Sequence, residues 1–282
     1  QESGRFAGAG LRLPGDIDPS TVRVEAADRI NLVDSRGFSH VHVSGLTFRF
    51  TNVYWDYTLR ARDQDDRPTH PDVDGACIRM LGDGKDIEVA HCRFEHVNKA
   101  VRIKAGDGDH VDFVVVRDNE IRHLDRGAIE VQNNGLWGKY KPPYGTVGDV
   151  RILRNRIHHT GQRPYRRGFA HTVVLRHPET AEVAGNILTR LAGSGLFIFG
   201  GKEGSKFNAR PLSRVLIHHN KVEDSLLDTN DWGGIETWQG GPYYIYNNIS
   251  INPGGIFVRN QNEIRRFGHA YYLDGAFKNY YF

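Results

Sequence analysis

The chain has 282 residues, of which 39% are hydrophobic and 25% charged, proportions typical of a globular protein that buries a sizeable core. Its apolar runs are far shorter than the roughly 20 residues that a membrane-spanning helix needs, and no basic segment leads into an apolar stretch like that of a signal peptide. A net charge of +3 is too small to predict a nucleic-acid partner. We therefore expect neither a membrane nor a nucleic-acid partner, and two cysteines exclude a disulfide scaffold.

The 32 glycines and the single methionine favour many tight turns between short strands. Residues 1–40 are interpreted as an atypical N-terminal start, with turn-forming residues at 14–20, because the end of a repeat protein needs a cap. Residues 61–75 are interpreted as an inserted loop, and such loops often build one binding face. The last residues, KNYYF, lead us to expect a further Asn-containing corner, which predicts a piece of a longer protein that ends within a repeat.

A short apolar segment repeats along the chain, with apolar or small residues at its first and third places and usually at its eighth. The copies are VHVSGLTF (41–48), IEVAHCRF (87–94), VVVRDNEI (114–121), VRILRNRI (150–157), AEVAGNIL (181–188), VLIHHNKV (215–222) and YYIYNNIS (243–250). The sixth place holds Leu46, Cys92, Asn119, Asn155, Asn186, Asn220 and Asn248. A recurring Asn at one corner predicts a ladder, since its amide bonds the same group one repeat away.

A second set of strands lies between these segments, usually after a small residue. Its members are GACIRML (75–81), KAVRIKA (99–105), GAIEVQN (127–133), HTVVLRH (171–177), GLFIFGG (195–201), GGIETWQ (233–239) and GGIFVRN (254–260). Two strands per unit at this long spacing fit stacked layers of strands better than a β-propeller or a β-sandwich. The sequence therefore predicts an all-β, right-handed parallel β-helix with an Asn ladder, forming a single domain over 1–282.

The second set of strands places two neighbouring columns of side chains on the outside. One column runs Arg79, Arg102, Glu130, Val174, Phe197, Glu236, and the next runs Leu81, Lys104, Gln132, Arg176, Phe199, Trp238. The positions between them are all apolar, as expected for the core side of a period-2 strand. This outer face is predicted to be basic at its early end, and acidic and aromatic at its late end.

We interpret this outer face as a carbohydrate-binding groove. Aromatic side chains can stack on sugar rings, and Arg and Lys can bind carboxylate or sulfate groups. The predicted substrate-binding residues are Arg79, Arg102, Lys104, Glu130, Arg176, Asp228 and Trp238. A solvated sheet face with incidental charges is the alternative.

The segment DTNDWGGIETWQGG (228–241) concentrates carboxylates and tryptophans. Glycoside hydrolysis needs two carboxyl groups, one that protonates the leaving oxygen and one that acts as nucleophile or base. Asp231, Glu236 and Asp274, the last on a following strand, are therefore the candidate catalytic residues. Asp74, Asp125 and Asp231 also share one turn position, where an Asp often only caps backbone N–H groups.

Histidines form a further column, with His96, His123 and His159 at equivalent places in successive repeats. Three imidazoles can bind a metal, but stacked corner residues are the commoner explanation and a straight column is poor for tetrahedral ligation. We predict no metal site and no cofactor. Ca²⁺ at the AGDGDH loop (105–110) or the 61–75 loop is left open, although neither has the spacing of an EF-hand.

The repeats together with DWGGIETWQGGPYYIYNNIS (231–250) and GHAYYLDGAFKNY (268–280) resemble the right-handed β-helix glycoside hydrolases of the pectate-lyase-like superfamily, specifically the family with α-L-fucosidase and xylanase members. The resemblance implies hydrolysis of a plant or algal polysaccharide by two acidic residues, which match Asp231 and Asp274 here. Members of that family are longer than this chain.

Two other functions remain open from the sequence. A polysaccharide lyase would use a Lys, Arg or His base on uronate, which the basic columns favour. A non-catalytic, carbohydrate-binding or adhesive β-helix would hold sugar without cleaving it. The substrate class leads us to expect a secreted or periplasmic protein, and the sequence leaves the oligomeric state open.

Overall fold

A computed structural model describes residues 15, 18–23, 27–52, 75–134, 144–163, 171–200, 214–260, 263–275 and 279–281. The protein is all-β: mostly parallel strands form curled sheets, as predicted at the level of fold class. A short 3-10 helix spans Pro19–Thr21, and the described residues contain no helix long and apolar enough to cross a membrane. The predicted inserted loop at 61–75 lies, except for its last residue, outside the described ranges.

In chain order the strands are β1 (Val33–Ser44), β2 (Thr47–Arg49), β3 (Ile78–Ala90), β4 (Arg93–Glu95), β5 (Val101–Ala105), β6 (His110–Arg117), β7 (Glu120–Arg122), β8 (Ile129–Asn133), β9 (Thr146–Leu153), β10 (Arg156–Thr160), β11 (Val173–Arg176), β12 (Pro178–Ala184), β13 (Ile187–Leu191), β14 (Leu196–Phe199), β15 (Arg214–His218), β16 (Lys221–Glu223), β17 (Trp232–Trp238), β18 (Tyr243–Tyr246), β19 (Ile249–Ile251), β20 (Phe257–Asn260), β21 (Glu263–Arg266), β22 (Gly268–Asp274) and β23 (Asn279–Tyr281). The first strand begins inside the predicted N-terminal start and pairs with β3.

The strands pair in three parallel sets. The first set has the order β3-β5-β8-β11-β14-β17-β22, and the second has the order β3-β6-β9-β12-β15-β18-β23, with the long strand β3 shared by both. The third set has the order β2-β4-β7-β10-β13-β16-β19. A repeat is thus one strand from each set, and each strand pairs with its equivalent in the next repeat. A separate antiparallel pair, β20-β21, lies outside this pattern.

Each repeat therefore has three strands where the sequence predicts two. The eight-residue segments, such as 150–157, contain the end of one strand and the start of another: β9 ends at Leu153 and β10 begins at Arg156. The residue before the ladder position takes a left-handed backbone conformation, for example φ 53° at Arg154. That conformation turns the chain, so one apolar segment serves two sheets.

The predicted Asn ladder is present at this turn. The side-chain oxygen of Asn186 accepts hydrogen bonds from the backbone N (2.9 Å) and from Nδ2 (3.0 Å) of Asn155. Its own Nδ2 donates to Asn220 Oδ1 (2.9 Å) and to the backbone carbonyl of Ile152 (2.8 Å). The same pattern joins Asn119 to Asn155 and Asn220 to Asn248. The ladder satisfies buried polar groups that the turn takes out of the sheets.

The core lies between the three sets. The predicted inward positions of the first set are almost completely buried and stack in one column: Ile78, Val101, Ile129, Val173, Leu196 and Ile235. Val, Ile and Leu dominate these positions because branched side chains pack well on a pleated surface. The inward column fixes which side chains face outward from the first set.

We expect Asn186→Ala to lower the free energy of unfolding by about 3 kcal/mol, because buried donors and acceptors in two neighbouring repeats lose their partners. Arg156→Ala, at the exposed neighbouring position on β10, should change it by less than about 0.5 kcal/mol. Urea unfolding of both variants measures the difference. Equal small effects would contradict a structural role for the ladder.

Candidate functional site

The outward side chains of the first set form the two predicted columns. Pairing places Arg79, Arg102, Glu130, Val174, Phe197 and Glu236 opposite one another, and likewise Leu81, Lys104, Gln132, Arg176, Phe199 and Trp238. Strand β22 extends them by one member each, Tyr272 beside Glu236 and Asp274 beside Trp238. We call this surface the outer face.

The outer face is less open than the predicted groove. Arg102, Lys104, Phe197 and Phe199 are all buried, whereas Trp238 is half-buried. Adjacent repeats are only about 4.8 Å apart, so long side chains in one column cover their neighbours. The sequence pattern identifies which side chains point outward, but it does not reveal this mutual covering.

The early end of the outer face carries a buried charged cluster. Glu130 forms ion pairs with Lys99 and, at 2.5 Å, with Nη1 of Arg102, which is 1% exposed. Burial raises the pKa of Glu130, but Arg102, Lys99 and Arg176 outweigh it and hold that pKa below its ordinary value. Burial lowers the pKa of Lys99 to about 8, offset only in part by Glu130. Two of the predicted substrate-binding residues, Arg102 and Glu130, are thus paired with each other.

The other predicted binding residues lie in different surroundings. Arg79 forms a two-point ion pair with Asp34 on β1, with contacts of 2.9 and 2.6 Å. Arg176 is half-buried, and its charge acts on Glu130. Asp228 is exposed in the turn before β17, where its backbone N donates to Ala192 O (3.1 Å). Substrate binding by these residues stays a prediction.

The late end of the outer face carries a buried carboxyl group, Glu236, which is 1% exposed. Its Oε2 accepts hydrogen bonds from the backbone N of Gly233 (2.9 Å) and from Ser194 Oγ (3.3 Å). Burial raises the pKa of Glu236 to about 8; the two hydrogen bonds lower it only in part, and the negative charges of Asp274 and Asp231 raise it further. Glu236 is therefore mostly protonated at neutral pH.

Asp231 and Asp274, whose charges act on Glu236, are both exposed. Asp231 has φ 65°, and its backbone N donates to Phe267 O (2.8 Å), which ties the start of β17 to the segment before β22. Asp274 ends β22 opposite Trp238. All three carboxyl groups act on Tyr272, whose pKa is raised by burial first and by their charges second. The structure thus brings the three predicted carboxyl groups together; we call them the acidic cluster.

Aromatic rings adjoin the acidic cluster. Phe199 stacks on Trp238 with ring centroids 4.7 Å apart, and Phe197 meets the edge of Trp232 at 5.5 Å. His171 lies 4.6 Å from both Phe197 and Trp232. The two phenylalanines, which the sequence suggested as sugar-stacking surfaces, are buried beneath the half-buried tryptophans. Of these two aromatic pairs, the tryptophans are the members that keep a partly accessible face.

Sequence reasoning missed Lys99, His171 and Ser194. Each lies two places before the first inward residue of its strand, in the bend that leads into β5, β11 and β14. Period-2 alternation does not hold in that bend, so the pattern could not show that these side chains reach the outer face. Burial, and to a lesser degree the charge of Arg176, lower the pKa of His171 to about 3, so this imidazole is neutral.

The recurring Asp position has no single role. Asp125 forms an ion pair with Arg163 (2.8 Å), Asp231 belongs to the acidic cluster, and Asp74 lies outside the described residues. In the 105–110 loop, Asp109 Oδ2 accepts a hydrogen bond from the backbone N of Gly106 (2.9 Å), as a turn residue does.

Fold and site together define an all-β protein of mostly parallel strands that carries a buried carboxyl group, Glu236, with a raised pKa near two exposed carboxyl groups. In comparisons with known proteins, no family model matches the chain, and no curated protein or solved structure matches it.

Proposed function

We propose that the chain is a polysaccharide-degrading glycoside hydrolase in which Glu236, Asp231 and Asp274 cleave the glycosidic bond. The observation that carries the proposal is the raised pKa of Glu236, about 8, beside two exposed carboxylates. Pairs of carboxyl groups with pKa values pushed apart are the usual acid and base of glycosidases.

The proposed fold is a right-handed parallel β-helix. The parallel pairing of the strands within the three sets, each with its equivalent in the next repeat, supports it, as does the Asn ladder. Crossovers between parallel strands of one sheet are right-handed in about 98% of cases, because of the twist of the strands. The resemblance to β-helix glycoside hydrolases rests on the segments that contain Asp231, Glu236 and Asp274.

In the proposed reaction, Glu236 donates its proton to the leaving oxygen, and Asp231 or Asp274 acts as the nucleophile or activates a water molecule. Glu236 and Asp274 lie one strand and two residues apart, which places their Cα atoms roughly 8 Å from each other. Glycosidases use carboxyl groups about 5–9.5 Å apart, and two side chains that start from Cα atoms at this separation on one face can bring their carboxyl groups into that range. No metal or cofactor takes part in the proposed reaction.

Substrate binding is proposed for the half-buried side chains next to the acidic cluster. Trp238 and Trp232 offer partly accessible rings for a sugar. Asp228 is exposed in the same segment, and Arg176 lies further along the outer face. A polysaccharide substrate in turn fits a secreted or periplasmic protein.

A polysaccharide lyase is the second candidate, because of Lys99. This amine has a pKa lowered to about 8, which suits a general base near neutral pH. It lies beside Arg102, a cation that could neutralise the carboxylate of a uronate. Its ion pair with Glu130 opposes this use, since the pair occupies the ammonium group.

One screen distinguishes these functions. Wild-type protein is incubated with a panel of plant and algal polysaccharides, and new reducing ends and near-ultraviolet absorbance are recorded together. A hydrolase raises reducing ends without absorbance, whereas a lyase raises both through its unsaturated product. Binding without either signal would show a carbohydrate-binding protein and would contradict the proposal.

Once a substrate that the protein cleaves is known, the variants Glu236→Gln, Asp231→Asn and Asp274→Asn show which residue is the acid and which is the nucleophile or base. We expect loss of the acid to lower kcat by about 10²–10⁴-fold on the polysaccharide but much less on an aryl glycoside with a good leaving group. Loss of the nucleophile or base should impair both substrates, and added azide should restore part of the rate. Full activity in all three variants would show that the acidic cluster is not catalytic.

A further inference from the structure

Three imidazoles come together where the third set of strands ends. His123 follows β7, and His158 and His159 lie on β10, its partner in the next repeat. One ring nitrogen from each lies within 4.8 Å of the others, and no other group of three potential metal-ligating side chains is found in the described ranges. The three residues therefore connect adjacent repeats at a corner.

This group differs from the straight column that the sequence suggested. His96, His123 and His159 do stack, with ring centroids 5.0 and 4.9 Å apart. His158 stands nearly perpendicular to its neighbours, at 82° to His123 and 75° to His159. Its Nδ1 is 2.8 Å from Nδ1 of His159. The perpendicular ring of His158 directs its nitrogen lone pair differently from those of the stacked rings, so the three imidazoles can approach one metal ion from different directions.

The surroundings allow an ion at this corner. Burial lowers the pKa of His123, His158 and His159, which favours the neutral imidazole that metals bind. His123 also lines a cavity of about 500 Å³, together with Phe50, Asp125 and Arg163 among other residues. A positive charge that disfavours cation binding is also present, since Nη1 of Arg190 lies 3.4 Å from Nε2 of His159.

We propose that His123, His158 and His159 bind one Zn²⁺ ion or a related divalent transition metal. Zinc–nitrogen bonds of about 2.0–2.1 Å place ligand atoms on one tetrahedral ion roughly 3.4 Å apart. Binding therefore requires ring rotations that bring the more distant nitrogens closer and, if both Nδ1 atoms are ligands, move those of His158 and His159, now 2.8 Å apart, away from each other. Three imidazoles leave the fourth position for water or for a small ligand from the cavity, and the ion cross-links two repeats.

The test uses the metal-free chain, titrated with ZnCl₂ by calorimetry and with Co²⁺ by visible absorption. The variants are His123→Asn and His159→Asn, because these backbones have φ 56° and 57° and Asn tolerates that conformation. His219→Asn is the matched control: its φ is 53°, and it pairs with His218 at 2.9 Å between Nδ1 atoms. We expect the wild type and the control to bind one equivalent of Zn²⁺ at micromolar concentration, and both variants to bind at least tenfold more weakly.

Two further readouts do not depend on removing an imidazole. Co²⁺ bound to the wild type should give the intense bands of a tetrahedral site, and Arg190→Asn should bind Zn²⁺ a few-fold more tightly because a nearby positive charge is lost. Absence of Zn²⁺ binding in the wild type overturns the proposal. So does wild-type affinity in His123→Asn, or an equal loss of affinity in His219→Asn.

Discussion

At pH 9, Glu236→Gln is expected to be more stable than the wild type by about 4 kcal/mol. The pKa of Glu236 is raised to about 8 in the folded chain, above its ordinary value of 4.5. Between these values the unfolded chain has lost the proton while the folded chain keeps it, so wild-type stability falls as the pH rises. Gln cannot ionise, so the variant lacks this loss.

Urea unfolding at pH 5, 7 and 9 measures this difference. The two proteins should be close in stability at pH 5, should diverge between pH 5 and about 8, and should keep a nearly constant difference above that. Glu179→Gln, at an exposed position on β12, is the matched control and should follow the wild type at every pH. A parallel pH dependence in wild type and Glu236→Gln would mean that Glu236 is not protonated in the folded protein. The experiment needs no substrate, so it tests the raised pKa of Glu236 independently of the proposed activity.

Glu130→Ala is expected to lower the free energy of unfolding by about 3–5 kcal/mol. Glu130 contacts both Lys99 and Arg102, and all three side chains are buried. Removing the carboxylate leaves two buried positive charges without the negative charge that compensates them. In the intact set, the attraction between opposite charges offsets the cost of removing them from water. The effect should be larger than for any exposed ion pair of the chain that the structure describes.

Glu120→Ala provides the comparison, since Glu120 pairs at 3.0 Å with Arg93 at a partly exposed position. Such pairs contribute about 0–1 kcal/mol. Adding Lys99→Met to Glu130→Ala should recover part of the loss, because one uncompensated charge is removed. Thermal and urea unfolding of the set provide the measurement. If Glu130→Ala cost no more than Glu120→Ala, the buried cluster would not be held by this carboxylate.

Much of the outer face could be predicted because alternation along a strand is strict. Once Ile129 and Val173 are assigned inward, Glu130 and Val174 must point outward and lie opposite each other. The Asn ladder follows in the same way from a recurring residue at one corner. The third strand of each repeat was missed because it has only a few residues and follows the ladder Asn without a break in the apolar pattern.

What could not be predicted depends on contacts between residues far apart in the chain. Lys99 reaches Glu130 from a bend that does not obey the alternation, and Ser194 reaches Glu236 in the next repeat. The sequence placed carboxylates near one another, but it did not show that Glu236 would be the buried one. Burial depends on how the neighbouring rings and strands cover a position, and no local pattern records that.

The amino-acid sequence alone was sufficient for the all-β class, the register of the first strand set and the three residues of the acidic cluster. Repetition and period-2 alternation are local patterns that can be seen directly in the order of residues along the chain. Tertiary packing sets the charge states: it makes Glu236 neutral, holds Glu130 charged, and turns His158 edge-on to its stacked neighbours. These properties arise from desolvation and from distances across repeats, which exist only in the folded molecule.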